Sequence, residues 1–166
     1  WRYSKRALPN CGGNIDWAIA TYADAKHLYV FCLGKKESKS AGEKPVKLAR
    51  ILLTDLENGK YANWEFATEK PSGGSSAAAW RQDYALAKSI MPVGGPEMSV
   101  LYSPKNKCYV SLFQEPMSEF VSLAVAQNID GTWTKPCHVY RVSETKITIN
   151  GKKALTYAGK AHPLLS

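Results

Sequence analysis

Two acidic residues stand out for the chemistry they could share: Asp16 in Asn14-Ile-Asp-Trp17 and Glu97 in Glu97-Met-Ser99. Each lies at the start of a short apolar run with strand character. Hydrolysis of a glycosidic bond needs such a pair. One carboxyl group protonates the leaving oxygen and the other activates water or attacks carbon. Asp16 is the expected base or nucleophile. Glu97, beside Met98, is the expected acid, because an apolar setting disfavours the charged carboxylate and raises its pKa. A separation of about 5–5.5 Å would imply retention of configuration, and about 6.5–9.5 Å inversion. Simpler structural roles exist for both. Asp16 would cap a turn after Gly12-Gly13, and Glu97 would be a solvated loop residue after Pro96.

A third segment, Lys160-Ala-His162, stands ahead of Pro163 in a similar position. His162 could orient a substrate hydroxyl or tune a carboxylate within its own titration range. Lys160 could contact a hydroxyl or an anionic group, or be a plain rim charge. Asn14, Trp17 and Ser99 complete the expected substrate-binding set, and Trp17 and Trp80 are candidate sugar-stacking platforms. Trp64 and Trp133 read as core instead, and Arg50 as a hydrogen-bonding pin between neighbouring sheets. No P-loop, GxSxG, HExxH or EF-hand pattern occurs, so neither a metal nor a cofactor is expected.

These residues are far apart in the chain, so a fold must bring them together. The chain has 166 residues and a formal net charge of +8, with 45% apolar and 22% charged residues. That excludes a disordered polar chain, and no apolar run approaches the roughly 18 residues of a membrane span. The basic balance invites a nucleic-acid reading, but its distribution is against one. Residues 1–60 hold 11 basic and 6 acidic groups, and residues 61–166 hold 11 and 8. The densest cluster, Lys35, Lys36, Lys39, Lys44 and Lys47, has Glu37 and Glu43 mixed in, as in a solvated loop. No nucleic-acid partner is expected. Of the four cysteines, Cys32 and Cys108 sit in apolar runs as small hydrophobes, and Cys11 and Cys137 complete the set. No CxxC spacing occurs, and one disulfide of unassigned connectivity is possible in an oxidising compartment.

The patterning is that of short strands. Trp17–Tyr22, Leu28–Leu33, Val46–Leu53 and Asn63–Ala67 are rich in aromatic and β-branched residues or alternate apolar with polar. Thr68–Pro96 reads as one long connection, with Pro71-Ser-Gly-Gly-Ser-Ser76, a helical turn or two within Ala77–Ser89, and Gly94-Gly95-Pro96. Strands resume at Ser99–Tyr102, Cys108–Phe113 and Phe120–Ala126, followed by an edge segment from Trp133 into His138–Val142. Ile147–Ile149 and Ala154–Tyr157 flank Asn150-Gly151, a pair suited to the positive φ values of a type I′ hairpin turn.

The series runs twice. At an offset of 80, Ile19–Gly34 overlies Ser99–Gln114 and matches Tyr22 with Tyr102, Tyr29 with Tyr109 and Val30 with Val110. At 75, Val46–Ile51 overlies Val121–Ala126, and at 69, Trp64 meets Trp133. A repeated four-stranded antiparallel unit predicts an all-β chain of β-propeller type, with an irregular β-sandwich as the other solution. Blade-like repeats are expected at about 14–70 and 97–142, with the start of a next one at 154–166. An innermost strand in each blade would bring Asp16, Glu97 and His162 to one funnel.

In order along the chain, His27-Leu-Tyr-Val-Phe, Val46-Lys-Leu-Ala-Arg50 and Tyr61-Ala-Asn-Trp64 resemble a blade of a bacterial family, domain of unknown function 4185. The second copy, with Met98-Ser-Val-Leu-Tyr102, Tyr109-Val, Val121–Ala126 and Asp130-Gly-Thr-Trp-Thr-Lys-Pro136, is similar to the same family. Tyr157-Ala-Gly-Lys-Ala-His-Pro163 resembles the start of a further inner strand. Thr132 stands where the family's turn often has Pro, and Ala18 where Gly often follows Trp. The resemblance implies a five-bladed β-propeller related to glycoside hydrolases, of which this chain would be a fragment of about two blades with flanking strands. It implies a carbohydrate polymer as partner, a monomer when full length, and export to the periplasm or beyond. The other function class is a propeller without catalysis that binds carbohydrate or a protein.

Overall fold

The computed structural model of this protein describes residues 7–9, 11, 15–34, 44–69, 78–115, 118–143, 148–149 and 152–153. Strands β1 (Ile15–Ala23), β2 (His27–Gly34), β3 (Val46–Leu52), β4 (Glu65–Thr68) and β5 (Ala79–Arg81) form a first antiparallel sheet in chain order. Strands β6 (Ser99–Ser103), β7 (Cys108–Gln114), β8 (Phe120–Ala126) and β9 (Cys137–Arg141) form a second, also in chain order. Neither sheet closes on itself. The described residues are mainly β, with a five-residue helix, α1 (Leu53–Glu57), and a 3₁₀ turn at Tyr84–Leu86.

Strand positions follow the alternation and the β-branched content closely, because both are local signals. Three details differ. The helix α1 takes over where β3 was expected to end. The expected connection after Thr68 contains β5, which pairs Thr68 with Ala79 and Phe66 with Arg81. Three residues are too few for periodicity to register. The late hairpin pairs β10 (Thr148–Ile149) with β11 (Lys152–Lys153). Asn150 and Gly151, and the expected return strand at 154–157, lie outside the described residues.

Two apolar cores form, one on each face of the first sheet. Phe31, Leu33, Val46 and Leu48 share the inter-sheet core with Phe113, Ala124, Ala126 and Trp133 of the second sheet and its following loop. Val30, Cys32, Ala49, Ile51, Trp64 and Phe66 form the other core. Trp64 and Trp133 are both buried, as their recurrence predicted. They belong to different cores, Trp133 lying edge-on to Phe31 with centroids 6.0 Å apart.

The pairing registers refine the repeat. Tyr22–Tyr29 and Tyr102–Tyr109 are both cross-strand pairs, so an offset of 80 preserves pairing. It does not preserve facing, since Leu33 and its match Phe113 lie in the same core. Offsets of 79 for β1 onto β6 and 81 for β2 onto β7 keep the same pairs and exchange the faces. They match Cys32 with Phe113 and Val30 with Ser111. At the offset of 75 of β8 from β3, Leu48 faces the second sheet, while its match Leu123 alternates with Ala124 and faces away from the first.

Two glycines allow the sheets to meet. A Cβ on Gly94 would overlap Val46 Cγ2 of the first sheet, and one on Gly95 would overlap the Gln114 carbonyl oxygen of the second. Gly94-Gly95 is therefore a spacer filling the gap between sheets, where any side chain would overfill it. The preceding residues run beside the start of β3, with Ile90 N donating to Val46 O at 2.9 Å and Val46 N to Met91 O at 2.8 Å. Trp133 N in turn donates to Ile90 O at 3.3 Å. Lys47, 3% exposed, donates its Nζ to Ala87 O at 2.8 Å and lies over the Tyr84 ring.

Candidate functional site

Asp16 and Glu97 occupy comparable places at the beginnings of β1 and β6. The amide of Met98 donates to the carbonyl of Ile19 at 3.1 Å, and Tyr22 contacts Tyr109, the cross-strand partner of Tyr102, with ring centroids 5.3 Å apart. Ile19 lies near Met98 and Tyr22 near the Tyr102 pair, so the two strands run side by side in the same direction. Their starting ends, which carry Asp16 and Glu97, lie at the same end of the molecule.

The local geometry differs at the two positions. Asp16 is half-buried and pairs with Leu33, which faces the second sheet; cross-strand partners share a face, so Asp16 is on that side too. Just after Asp16 the register shifts, with Trp17, Ala18 and Ile19 set against the single residue Cys32. Ala18 takes φ of 60° within this bulge, a conformation better suited to glycine. The bulge re-aims β1 between Asp16 and the Ile19 carbonyl that receives Met98. Glu97 sits in the turn before β6, half-buried beside the buried Met98. Its Oε2 is fully enclosed and has no hydrogen-bond partner among the described residues. Ser99, half-buried, opens β6 opposite Leu112.

The aromatic platforms are otherwise engaged. Trp17 packs edge-on to Trp64 at 5.4 Å and against Phe66 at 5.8 Å. The Trp80 ring lies 4.0 Å from the Arg50 guanidinium. Arg50 does not pin two sheets together: it bonds Glu65 within the first sheet through Nε and Nη2, each 2.9 Å from Oε2. Asn14, Lys160 and His162 lie outside the described residues.

A second convergence of polar groups lies at the opposite end of the first sheet, and the sequence reading passed over it. The registers His27 opposite Leu52 and Arg50 opposite Glu65 gather His27, Arg50 and Glu65 there. Asp55 accepts from Asn63 Nδ2 at 3.0 Å and lies 3.7 Å from Lys60 Nζ. Asp24 holds the turn into β2, accepting at 2.7 Å from the amides of both Lys26 and His27. Burial holds the His27 pKa below its ordinary value and the Arg50 charge adds to this, while Asp24 and Glu65 oppose it. An Asp at the turn between two strands was the one legible signal of this corner. The rest depended on register.

All four cysteines are free. Among the described residues, no group of three or more His, Cys, Asp or Glu is placed to hold a metal ion, and no helix is long and apolar enough to cross a membrane.

No protein-family model matches the chain, and no curated protein matches it. Its fold is similar to the crystal structure of a candidate hydrolase from Bacteroides ovatus, with a TM-score of 0.60 and 19% sequence identity. The match covers 88% of this chain and 34% of that one, so the chain spans about a third of the length of the protein it matches. At this identity the likeness establishes the shared arrangement of antiparallel sheets.

Proposed function

We propose that these two sheets are successive blades of a β-propeller of the kind the domain of unknown function 4185 resemblance implies, and that the propeller is a hydrolase of glycosidic bonds. Rotation about a common axis carries the face of one blade that meets the next onto the face of the next that points onward. Leu48 and Leu123 obey this rule, as do Trp64 and Trp133, whereas Leu33 and Phe113, matched at an offset of 80, share one core, and β1 and β2 follow the rule only at offsets of 79 and 81. In a two-fold sandwich, matched residues would face each other across the core. The candidate hydrolase from Bacteroides ovatus agrees with the reaction class proposed.

In this reading Asp16 is the base or nucleophile and Glu97 the acid. The observation that carries it is the Met98–Ile19 hydrogen bond, which sets the starts of β1 and β6 side by side. The enclosed, unpartnered Oε2 sets Glu97 apart from a solvated loop glutamate. Ser99 would contact substrate beside it, and Asn14, Lys160 and His162 would complete the funnel.

The test is hydrolysis of a panel of plant and bacterial polysaccharides by the protein and by its Asp16→Asn and Glu97→Gln variants. Reducing-end release that falls about 100-fold or more in both variants, with folding intact, supports the assignment. Polysaccharide binding without cleavage, unchanged by either substitution, replaces it with a non-catalytic binding module.

A further inference from the structure

A cavity of about 420 Å³ opens at the end of the first sheet opposite Asp16. It is lined by His27, Arg50, Asp55, Asn63, Glu65 and Gln82, with Leu52 as its apolar wall. Its volume falls within the roughly 300–1,000 Å³ of small-molecule sites. Its chemistry is more selective than its size. Arg50 is neutralised by Glu65 and covered on a ring face by Trp80, so its charge and orientation are both fixed. Asp55 is balanced by Lys60 and held by Asn63. Among the described residues that line the cavity, no positive charge is left uncompensated for an anion.

What remains is a dense, mixed set of donors and acceptors. Both Arg50 contacts use Oε2 of Glu65, so its Oε1 keeps acceptor capacity. A neutral imidazole both donates and accepts, and an exposed amide such as Gln82 does the same. Leu52, 43% exposed, gives an apolar surface beside them. A ligand that matches carries many hydroxyls, no net charge, and one C–H face.

We propose that this cavity is a binding site for a neutral saccharide, separate from the Asp16–Glu97 pair. It stands whether or not the chain cleaves sugars. In such a site the hydroxyls bridge Glu65, Gln82 and His27, and the C–H face rests on Leu52. Fixing of Arg50 by Trp80 and Glu65 before the ligand arrives lowers the ordering cost of binding.

The experiment is calorimetric titration of the protein with glucose, galactose, xylose, arabinose and cellobiose, with inorganic phosphate and acetate as anionic comparators. The site predicts saturable binding of at least one of these saccharides and none of the anions. Gln82→Ala, at an exposed position that does not support the fold, and Glu65→Gln each weaken that binding about tenfold or more. Val139→Ala, at an exposed position of the second sheet that does not line the cavity, leaves it unchanged. Binding of phosphate without any saccharide, saccharide binding insensitive to Gln82→Ala and Glu65→Gln, or absence of binding across the panel overturns it.

Discussion

Met98 donates its main-chain amide to the carbonyl oxygen of Ile19, at 3.1 Å, and so joins the first strand of one sheet to the first strand of the next. Gly94 and Gly95, a few residues earlier, occupy the space between the sheets that this junction requires. Gly94→Ala forces its methyl into Val46 and lowers stability by about 1–3 kcal/mol, the usual range for overpacking. Urea unfolding followed by tryptophan fluorescence measures this. Gly59→Ala, where the nearest side-chain atom is 3.6 Å away, tests positive φ without crowding. A Gly94 variant as stable as the parent would mean that the sheets separate freely.

Ala18 lies in the bulge of β1 with φ of 60°. The left-handed conformation costs an L-residue roughly 1–2 kcal/mol, and glycine loses roughly 0.5–1 kcal/mol in chain entropy. Ala18→Gly therefore stabilises the fold by up to about 1 kcal/mol. A rise in denaturation midpoint with unchanged slope is the expected result.

Trp64 and Trp133 are equally buried but not equally bonded. Trp133 Nε1 donates to Ile129 O at 3.2 Å, whereas Trp64 Nε1 has no partner among the described residues. Replacement by phenylalanine removes a satisfied donor at one site and an unsatisfied one at the other. Trp133→Phe is the more damaging, by about 1 kcal/mol beyond the shared loss of volume. Paired unfolding curves decide it.

His27 titrates below its ordinary value of 6.5, chiefly through burial, with the Arg50 and Lys26 charges adding to it and Asp24 and Glu65 opposing it. The unfolded chain therefore takes up this proton first. His27 lowers stability as pH falls through about 6.5, and its effect levels off below the folded-state pKa. His27→Gln flattens that part of the stability profile between acid and neutral pH. A proton NMR titration of the imidazole should give a midpoint under 6.5.

The cysteines divide by exposure. Burial pushes the Cys32 thiol up to about 12 and raises that of Cys11, while Cys137 is exposed. A disulfide reagent at neutral pH labels Cys137 first in the native protein, and all four thiols only after denaturation. Cys137→Ser abolishes the fast phase. Rapid labelling of Cys32 would contradict the buried core on the outer side of the first sheet.

The longer strands, the repetition of the series and the burial of Trp64 and Trp133 were determined by sequence alone, because alternation and β-branched content act over a few residues; the three-residue β5 was not. The order Ile19–Gly34 then Val46–Ile51 also fixed which strands pair. Facing was not legible: opposite one-residue shifts of two paired strands leave every cross-strand pair intact yet turn each side chain over, and only packing between the sheets shows which side chains each strand turns toward the other sheet. The same holds for function. Asp16 and Glu97 could be named from their positions ahead of strands, but their common end depends on the bond between Met98 and Ile19. Arg50 and Glu65 read as residues of two separate strands, and Trp80 as part of a long connection. The register of β3 on β4 and of β4 on β5 brought them together, and register is set by the whole sheet, not by any segment in it.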